Sequence, residues 1–288
     1  MNVAILGCGL MGGSLAAALR RRRLADHLVG YDLDAGVCAR AVTLGLFDAG
    51  ALDAGHAVRG ADLVVLAVPV GSMHALLAQI AGVLEPDALV TDLGSTKVDV
   101  IGAARAALGP AFERFVPAHP IAGSERAGPE YADPDLFEGR VVVTTPAAET
   151  RPDALRRVEK LWRACGARIE RMTAVQHDHV LATVSHLPHV LAFALVAQIA
   201  DAPDAQLKLS LAGAGFRDFT RIAASSPVMW RDIAMANREA LGAQLHALVA
   251  LLGQLEGALA RGDAQWLEQL FERASHARRH ALGGPDAE

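Results

Sequence analysis

The chain has 288 residues, with 27 Lys and Arg against 32 Asp and Glu, and a net charge of −5 at neutral pH. A mildly acidic chain has little field to attract nucleic acid or an anionic membrane, so neither is expected as a partner. With 52% hydrophobic and 20% charged residues it can fill a sizeable core, which excludes a disordered chain.

Aromatic residues are only 5%, and the apolar mass is mostly Ala, Leu and Val, which favours helices and buried parallel strands over a β-sandwich. The cysteines, Cys8, Cys38 and Cys165, are too few and too widely spaced for a disulfide scaffold, and a reducing, cytoplasmic setting is expected. No basic targeting segment precedes the first apolar run. The stretch Leu181 to Ala200 is apolar but carries Ser185, His186, Pro188, His189 and Gln198, which reads as a buried helix with polar duties, not a membrane span.

In chain order, Val3–Leu6, Leu28–Tyr31, Leu63–Val68, Leu89–Thr91, Phe115–Ala118 and Val141–Thr145 read as strands, apolar almost throughout as strands covered on both faces must be. Helical patterns lie between several of them, at Ser14–Arg23 and Val70–Leu84. Repeated β-α-β units predict an α/β fold, with a doubly wound, Rossmann-like parallel sheet at the N-terminus. A helix over Pro152–Cys165, opened by Pro152 and stopped by Gly166, precedes one more strand at Ala167–Arg171. Beyond Thr173 nothing reads as a strand. The expected division is therefore a dinucleotide-binding domain over 1–172 and an all-α domain for substrate and dimerisation over 173–288. Ser226-Pro227 reads as an N-cap and first turn. Leu241, Leu245, Leu248, Leu252, Leu255 and Leu259 follow a 4-3-4-3-4 spacing. That seam suits either a core stripe within one chain or a surface shared between two subunits.

Gly7-Cys8-Gly9-Leu10-Met11-Gly12 is G-x-G-x-x-G, placed directly after a predicted strand and at the start of a helix. In that context Gly7 allows the turn, Gly9 lets a pyrophosphate approach, Gly12 lets helix and strand pack, and the backbone of Leu10 and Met11 faces the phosphates. Asp32 ends the second strand twenty residues beyond Gly12. A carboxylate there accepts from a ribose 2′-hydroxyl and repels a 2′-phosphate, which favours NAD over NADP. Arg20 to Arg23 lie at the far end of the first helix, as a solvated terminus suited to its dipole.

Thr91 to Lys97 closes one predicted strand, and Pro117 to Glu125, containing His119, closes the next. Carboxyl ends of strands are where an open α/β sheet binds ligands, so His119 is the candidate acid or base beside the nicotinamide. The segment Gly123–Gly139 reads as a long loop over the mouth. His177-x-His179 and His186-x-x-His189 have spacings a metal could use, but no Cys or acidic cluster completes a site, and no metal is expected.

These stretches, together with Ser185-His186-Leu187-Pro188-His189, Gly215 to Arg221 and Pro227-Val228-Met229-Trp230-Arg231-Asp232, occur in an order that resembles the prephenate/arogenate dehydrogenase family of tyrosine biosynthesis, from Val3 to about Gly262. The resemblance implies an NAD-dependent oxidative decarboxylation. A hydride leaves the ring carbon bearing the hydroxyl, the ring carboxylate leaves as carbon dioxide, and the ring becomes aromatic. It implies His119 as the catalytic histidine, which takes the hydroxyl proton, and Ser95 as the serine that orients it and touches substrate and nicotinamide. Arg221 matches the arginine that binds a substrate carboxylate. Ser124, Glu125 and His189 match residues lining the pocket, and Asp218 and Trp230 match supporting positions behind it. A homodimer is implied as well. The family's preference between prephenate and arogenate, which differ by a keto group against an ammonium, stays open. So does a β-hydroxyacid dehydrogenase, although no Lys lies between Lys160 and Lys208 to serve it, and so does a nucleotide-binding module without catalysis.

Overall fold

Strands β1 (Asn2–Leu6), β2 (His27–Tyr31), β3 (Ala49–Gly50), β4 (Leu63–Leu66), β5 (Leu89–Asp92) and β6 (Phe115–Val116) form one parallel sheet in the order β3-β2-β1-β4-β5-β6. The computed structural model describes residues 1–124 and 126–282. Helices α1 (Leu10–Arg21), α2 (Ala35–Thr43), α3 (Ala54–Val58), α4 (Val70–Ile80) and α5 (Val98–Leu108) connect these strands.

Alternation along the strands builds two cores. Val3, Ile5, Leu63, Val65 and Leu89 face one way and pack with Leu15, Leu19 and Trp162. Ala4, Leu6, Val64, Leu66 and Val90 face the other way and pack with Met73, Leu77, Val100 and Ile101. The near-continuous apolar runs of β1, β4 and β5 follow from this cover on both faces. The strand order reverses about β1, whose two neighbours are β2 and β4, and the carboxyl ends of strands at such a reversal are where open α/β sheets bind ligands.

The run expected as one strand over Phe115–Ala118 is two. Pro117 has no N–H to continue a ladder, and the chain leaves the parallel sheet after Val116, which pairs with Thr91. It enters a second sheet as β7 (Ala118–Pro120), antiparallel to β8 (Val141–Thr144), which is parallel to β9 (Arg168–Arg171). Helix α6 (Pro152–Ala164), with Pro152 in its first turn, makes the β8–β9 crossover. His119 therefore lies on this smaller sheet, opposite Val143.

Three of the four arginines ending α1 and following it also make ion pairs from this largely solvated terminus. Arg20 pairs with Asp48 at 2.8 Å, Arg21 with Asp135, and Arg22 with Glu138 at 2.7 Å. Two of these pairs, with a hydrogen bond from the Asp133 amide to Ser14 Oγ, hold the 133–138 segment against α1.

Beyond β9 the described residues contain only helices: α7 (Ala174–Leu181), a π-helical turn (Ala182–His186), α8 (Leu187–Ala200), α9 (Ala205–Ser210), α10 (Ala214–Thr220), α11 (Pro227–Ala236), α12 (Arg238–Arg261) and α13 (Ala264–Leu282), with short 3₁₀ turns between some of them. Thr173 and Gln176 form a capping box at the start of α7, and Ser226 caps α11 by accepting from the Met229 amide at 3.4 Å. Met1–Ala240 is one compact unit, and a second begins at Leu241, inside α12. In the second unit the leucine seam is largely uncovered: Leu245, Leu252 and Leu259 are 36%, 49% and 60% exposed.

Candidate active site

The glycine turn is built as the motif requires. Gly7 has a φ of 108°, and a Cβ there would sit 2.3 Å from the Ala67 carbonyl oxygen. A Cβ on Gly12 would meet the Gly7 carbonyl oxygen at 1.9 Å. Gly9 is different: a Cβ on it would meet nothing within 4 Å, so the space over the turn is open. Gly9 is also the N-cap of α1 and offers no side chain to the free N–H groups of Leu10, Met11 and Gly12. Asp32 Oδ2 accepts from the Cys8 amide at 2.8 Å and Oδ1 from the Asp34 amide at 3.0 Å. Each carboxylate oxygen keeps a further lone pair for a hydroxyl.

At the far end of β5 the chain turns through Leu93-Gly94-Ser95-Thr96 to Lys97. Asp92 and Lys97 form a wholly buried ion pair. Asp92 Oδ1 accepts from the Ala118 amide at 3.1 Å, and Lys97 Nζ donates to the Ala118 carbonyl oxygen at 2.8 Å. The pair thus fixes the backbone beside His119. Asp178, from α7, caps α5 from outside: its carboxylate accepts from the Lys97 amide at 2.8 Å and the Val98 amide at 2.9 Å. Burial pushes the Asp178 carboxyl up, but hydrogen bonds from His177, Val98 and Lys97 outweigh it and hold the group below the ordinary carboxylate range.

His119 Nδ1 is 2.8 Å from His177 Nε2, and His177 Nδ1 is 2.7 Å from Asp178 Oδ1. His177 is buried, while His119 keeps a partly exposed edge. Burial first, then the neighbouring Lys97 ammonium and the imidazoles of His177 and His186, hold the His119 imidazole well below its ordinary pKa, so it is neutral at physiological pH. His177, not Ser95, makes the hydrogen bond to its Nδ1. Ser95 itself is half-buried on the turn after β5.

A second cluster stands on the helices. His189 stacks on Trp230 with ring centroids 3.6 Å apart, and its Nδ1 donates to the Ser185 carbonyl oxygen at 2.8 Å. The π-helical turn at 182–186 ends just before Pro188, whose missing N–H loosens the helical ladder there. Burial lowers the His189 pKa, and the nearby Arg221 guanidinium adds to that. The Asn237 side-chain amide donates to the Asp178 carbonyl oxygen at 2.7 Å and lies 3.1 Å from His186 Nδ1. Burial pushes His186 down to about 4. The buried His186 Nε2 and Trp230 Nε1 atoms have no hydrogen-bond partner among the described residues. Arg221 and Asp218 are exposed, as is Ser124, whose hydroxyl accepts from the Arg126 amide at 3.2 Å. Glu125 lies outside the described residues.

Comparison with known proteins assigns this arrangement. Residues 15–171 match the model for the prephenate dehydrogenase nucleotide-binding domain, and residues 173–273 match that for the prephenate dehydrogenase dimerization domain. The chain belongs to the prephenate dehydrogenase family. A cyclohexadienyl dehydrogenase from Zymomonas mobilis is 38% identical over 96% of this chain and 94% of its own. A prephenate dehydrogenase from Bacillus subtilis is 32% identical over 96% of this chain and 75% of its own. The crystal structure of prephenate dehydrogenase from Aquifex aeolicus, in complex with hydroxyphenyl propionate and NAD+, superposes with a TM-score of 0.90 at 36% identity, covering 98% of each chain.

As a member of the prephenate dehydrogenase family the chain is an oxidoreductase, on a Rossmann-like domain followed by helices. His119 and His189 are both partly buried, on β7 and α8 respectively. Reading the sequence assigned no role to Lys97, Asp92, His177, Asp178 or Asn237, which build the ground beneath His119. The available signal was the adjacent pair His177-Asp178 in the first turns of a capped helix, read there only as half of a metal-ligand spacing.

Proposed function

We propose that the protein catalyses the NAD-dependent oxidative decarboxylation of prephenate to 4-hydroxyphenylpyruvate. The observation that carries this reading is a neutral histidine, His119, on the strand that follows β6 and bonded to His177, in a chain whose β1 ends in an open glycine turn. NAD fits that turn: the space over Gly9 is free, the first amides of α1 are uncapped, and Asp32 keeps lone pairs for ribose hydroxyls. Gly7, Gly9, Leu10, Met11, Gly12 and Asp32 would hold it, and NAD when bound supplies the hydride acceptor. An acidic residue at the end of β2 disfavours a 2′-phosphate, so NAD is preferred to NADP.

His119 accepts the ring hydroxyl proton on the nitrogen that faces away from His177, as the carbinol becomes a carbonyl-like centre. Ser95, half-buried on the turn after β5, would touch substrate and nicotinamide. Arg221 presents a fork of donors to a substrate carboxylate, beside His189 on its Trp230 platform. Ser124, Glu125 and Asp218 are proposed as further substrate-site residues, of which Ser124 and Asp218 are exposed. Loss of carbon dioxide with aromatisation makes the step irreversible. The test is the initial rate of NAD reduction with prephenate and with arogenate, repeated with NADP. The reading expects prephenate with NAD to be fastest; a protein that reduces NAD with neither substrate overturns it.

The name of the Zymomonas relative favours a broader reading, in which both cyclohexadienyl substrates are used. Comparable rates with prephenate and arogenate would establish that reading.

We infer further that the molecule is a cytoplasmic homodimer, divided into a nucleotide domain over 1–172 and a helical domain over 173–288. The dimerization-domain match supports this, as does the uncovered leucine face of α12. Helix α8 supports it too: it is apolar all round, yet only Ala192 in it is fully buried. The run Ala174–Ala200 is long and apolar enough to cross a membrane by length and composition, with a mean hydropathy of 1.8. Its buried polar residues His177, Asp178 and His186 are all hydrogen-bonded within the site, which supports the reading as a helix of a soluble enzyme.

A further inference from the structure

We propose that His177 and Asp178 are positioning residues that fix the tautomer of His119, so that Nδ1 carries its proton and Nε2 presents the lone pair that takes the substrate proton. This rests on the role proposed above for His119, and the order of donors and acceptors is set from the Asp178 carboxylate outward. The Asp178 carboxylate accepts two backbone amides, from Lys97 and Val98, and a carboxylate held this way is ionised and can only accept. The 2.7 Å contact from its Oδ1 to His177 Nδ1 therefore places a proton on His177 Nδ1. A neutral imidazole has one N–H, so His177 Nε2 is left as an acceptor. Its neighbour at 2.8 Å, His119 Nδ1, must then be the donor. With that proton on Nδ1, the neutral His119 leaves Nε2 as its bare nitrogen.

The rest of the structure holds this order in place. His177 is completely buried, so bulk solvent does not compete for its ring nitrogens. The Asn237 amide donates to the Asp178 backbone carbonyl, and Lys97 Nζ donates to the Ala118 carbonyl, so both ends of the chain of bonds are anchored. Free imidazole side chains lean toward the other tautomer, with the proton on Nε2, which could not act as a base from that nitrogen. When His119 takes the substrate proton its Nδ1–H remains bonded to His177, whose own N–H remains bonded to the Asp178 carboxylate. The new positive charge is thus stabilised through two polarised hydrogen bonds, and Asp178 stays ionised throughout.

The decisive experiment is nitrogen-15 NMR of histidine-labelled protein, with His119 assigned by comparison with His119→Asn, alongside steady-state kinetics of His177→Met and His177→Gln. In the wild type, His119 and His177 should both carry the proton on Nδ1. His177→Met matches the volume and removes the acceptor; kcat should fall on the order of 10²-fold, with KM and NAD affinity changed by less than about threefold. His177→Gln restores an acceptor and should recover at least about tenfold of that loss. A wild-type spectrum with the His119 proton on Nε2 would overturn the proposal, as would a folded Met variant with wild-type kcat. The spectrum needs no substrate, so absence of turnover with prephenate and arogenate would defeat the proposed reaction while the tautomer still decided this inference.

Discussion

At the residue scale, the site depends on keeping one imidazole neutral and another side chain charged. Burial and three neighbouring cationic or cationisable groups lower the His119 pKa, so its neutral form dominates until the pH falls well under about 6.5. The sign is clear: kcat/KM should be flat through neutrality and decline only as acid protonates His119. A pH–rate profile with its acid limb above the ordinary histidine value would contradict this account. Arg221 plays the opposite part, as a permanent charge beside His189. Arg221→Ala should raise KM for the substrate at least about tenfold and leave kcat nearly unchanged. Should the loss fall on kcat with KM intact, Arg221 is not a binder of the ground-state carboxylate.

At the scale of elements, the turns after β1 and β5 do different work and should fail differently. Gly12→Ala forces a methyl group into the Gly7 carbonyl and should cost about 1–3 kcal/mol of stability, read by denaturant unfolding. A Cβ at Gly9 meets nothing within 4 Å, so Gly9→Ala should leave stability alone and weaken NAD binding in calorimetry. Lys97→Met leaves Asp92 as an uncompensated buried charge and should cost about 3–5 kcal/mol. Equal stability in that variant would show the ion pair to be dispensable. These elements were unevenly legible in the sequence. The glycine turn and the strand feeding it are local patterns, and Pro152 and Ser226 mark helix starts locally too. The break at Pro117 was harder to see, because the apolar run continues across it and only the missing N–H decides that Ala118 pairs with Thr144 in another sheet. Lys97, Asp178 and Asn237 come together across 81 and 59 positions of chain, and no local pattern announces such a contact.

At the scale of the whole molecule, the leucine face of α12 is the feature a single chain leaves unexplained. Its spacing suited either an internal stripe or a shared surface, and the exposure of Leu245, Leu252 and Leu259 favours the second. Leu252→Asp should convert a dimer into a monomer in light scattering at micromolar concentration; a wild-type protein that is already monomeric would remove the claim. The central claim concerns the reaction itself. Its most direct measurement is the initial rate of NAD reduction with prephenate, followed by ultraviolet absorbance, for the wild type beside His119→Asn. The account predicts rapid reduction by the wild type and a loss on the order of 10²–10⁴ in the variant, with NAD affinity retained. No reduction by a wild-type protein that binds NAD, or equal rates for the two proteins, would contradict it.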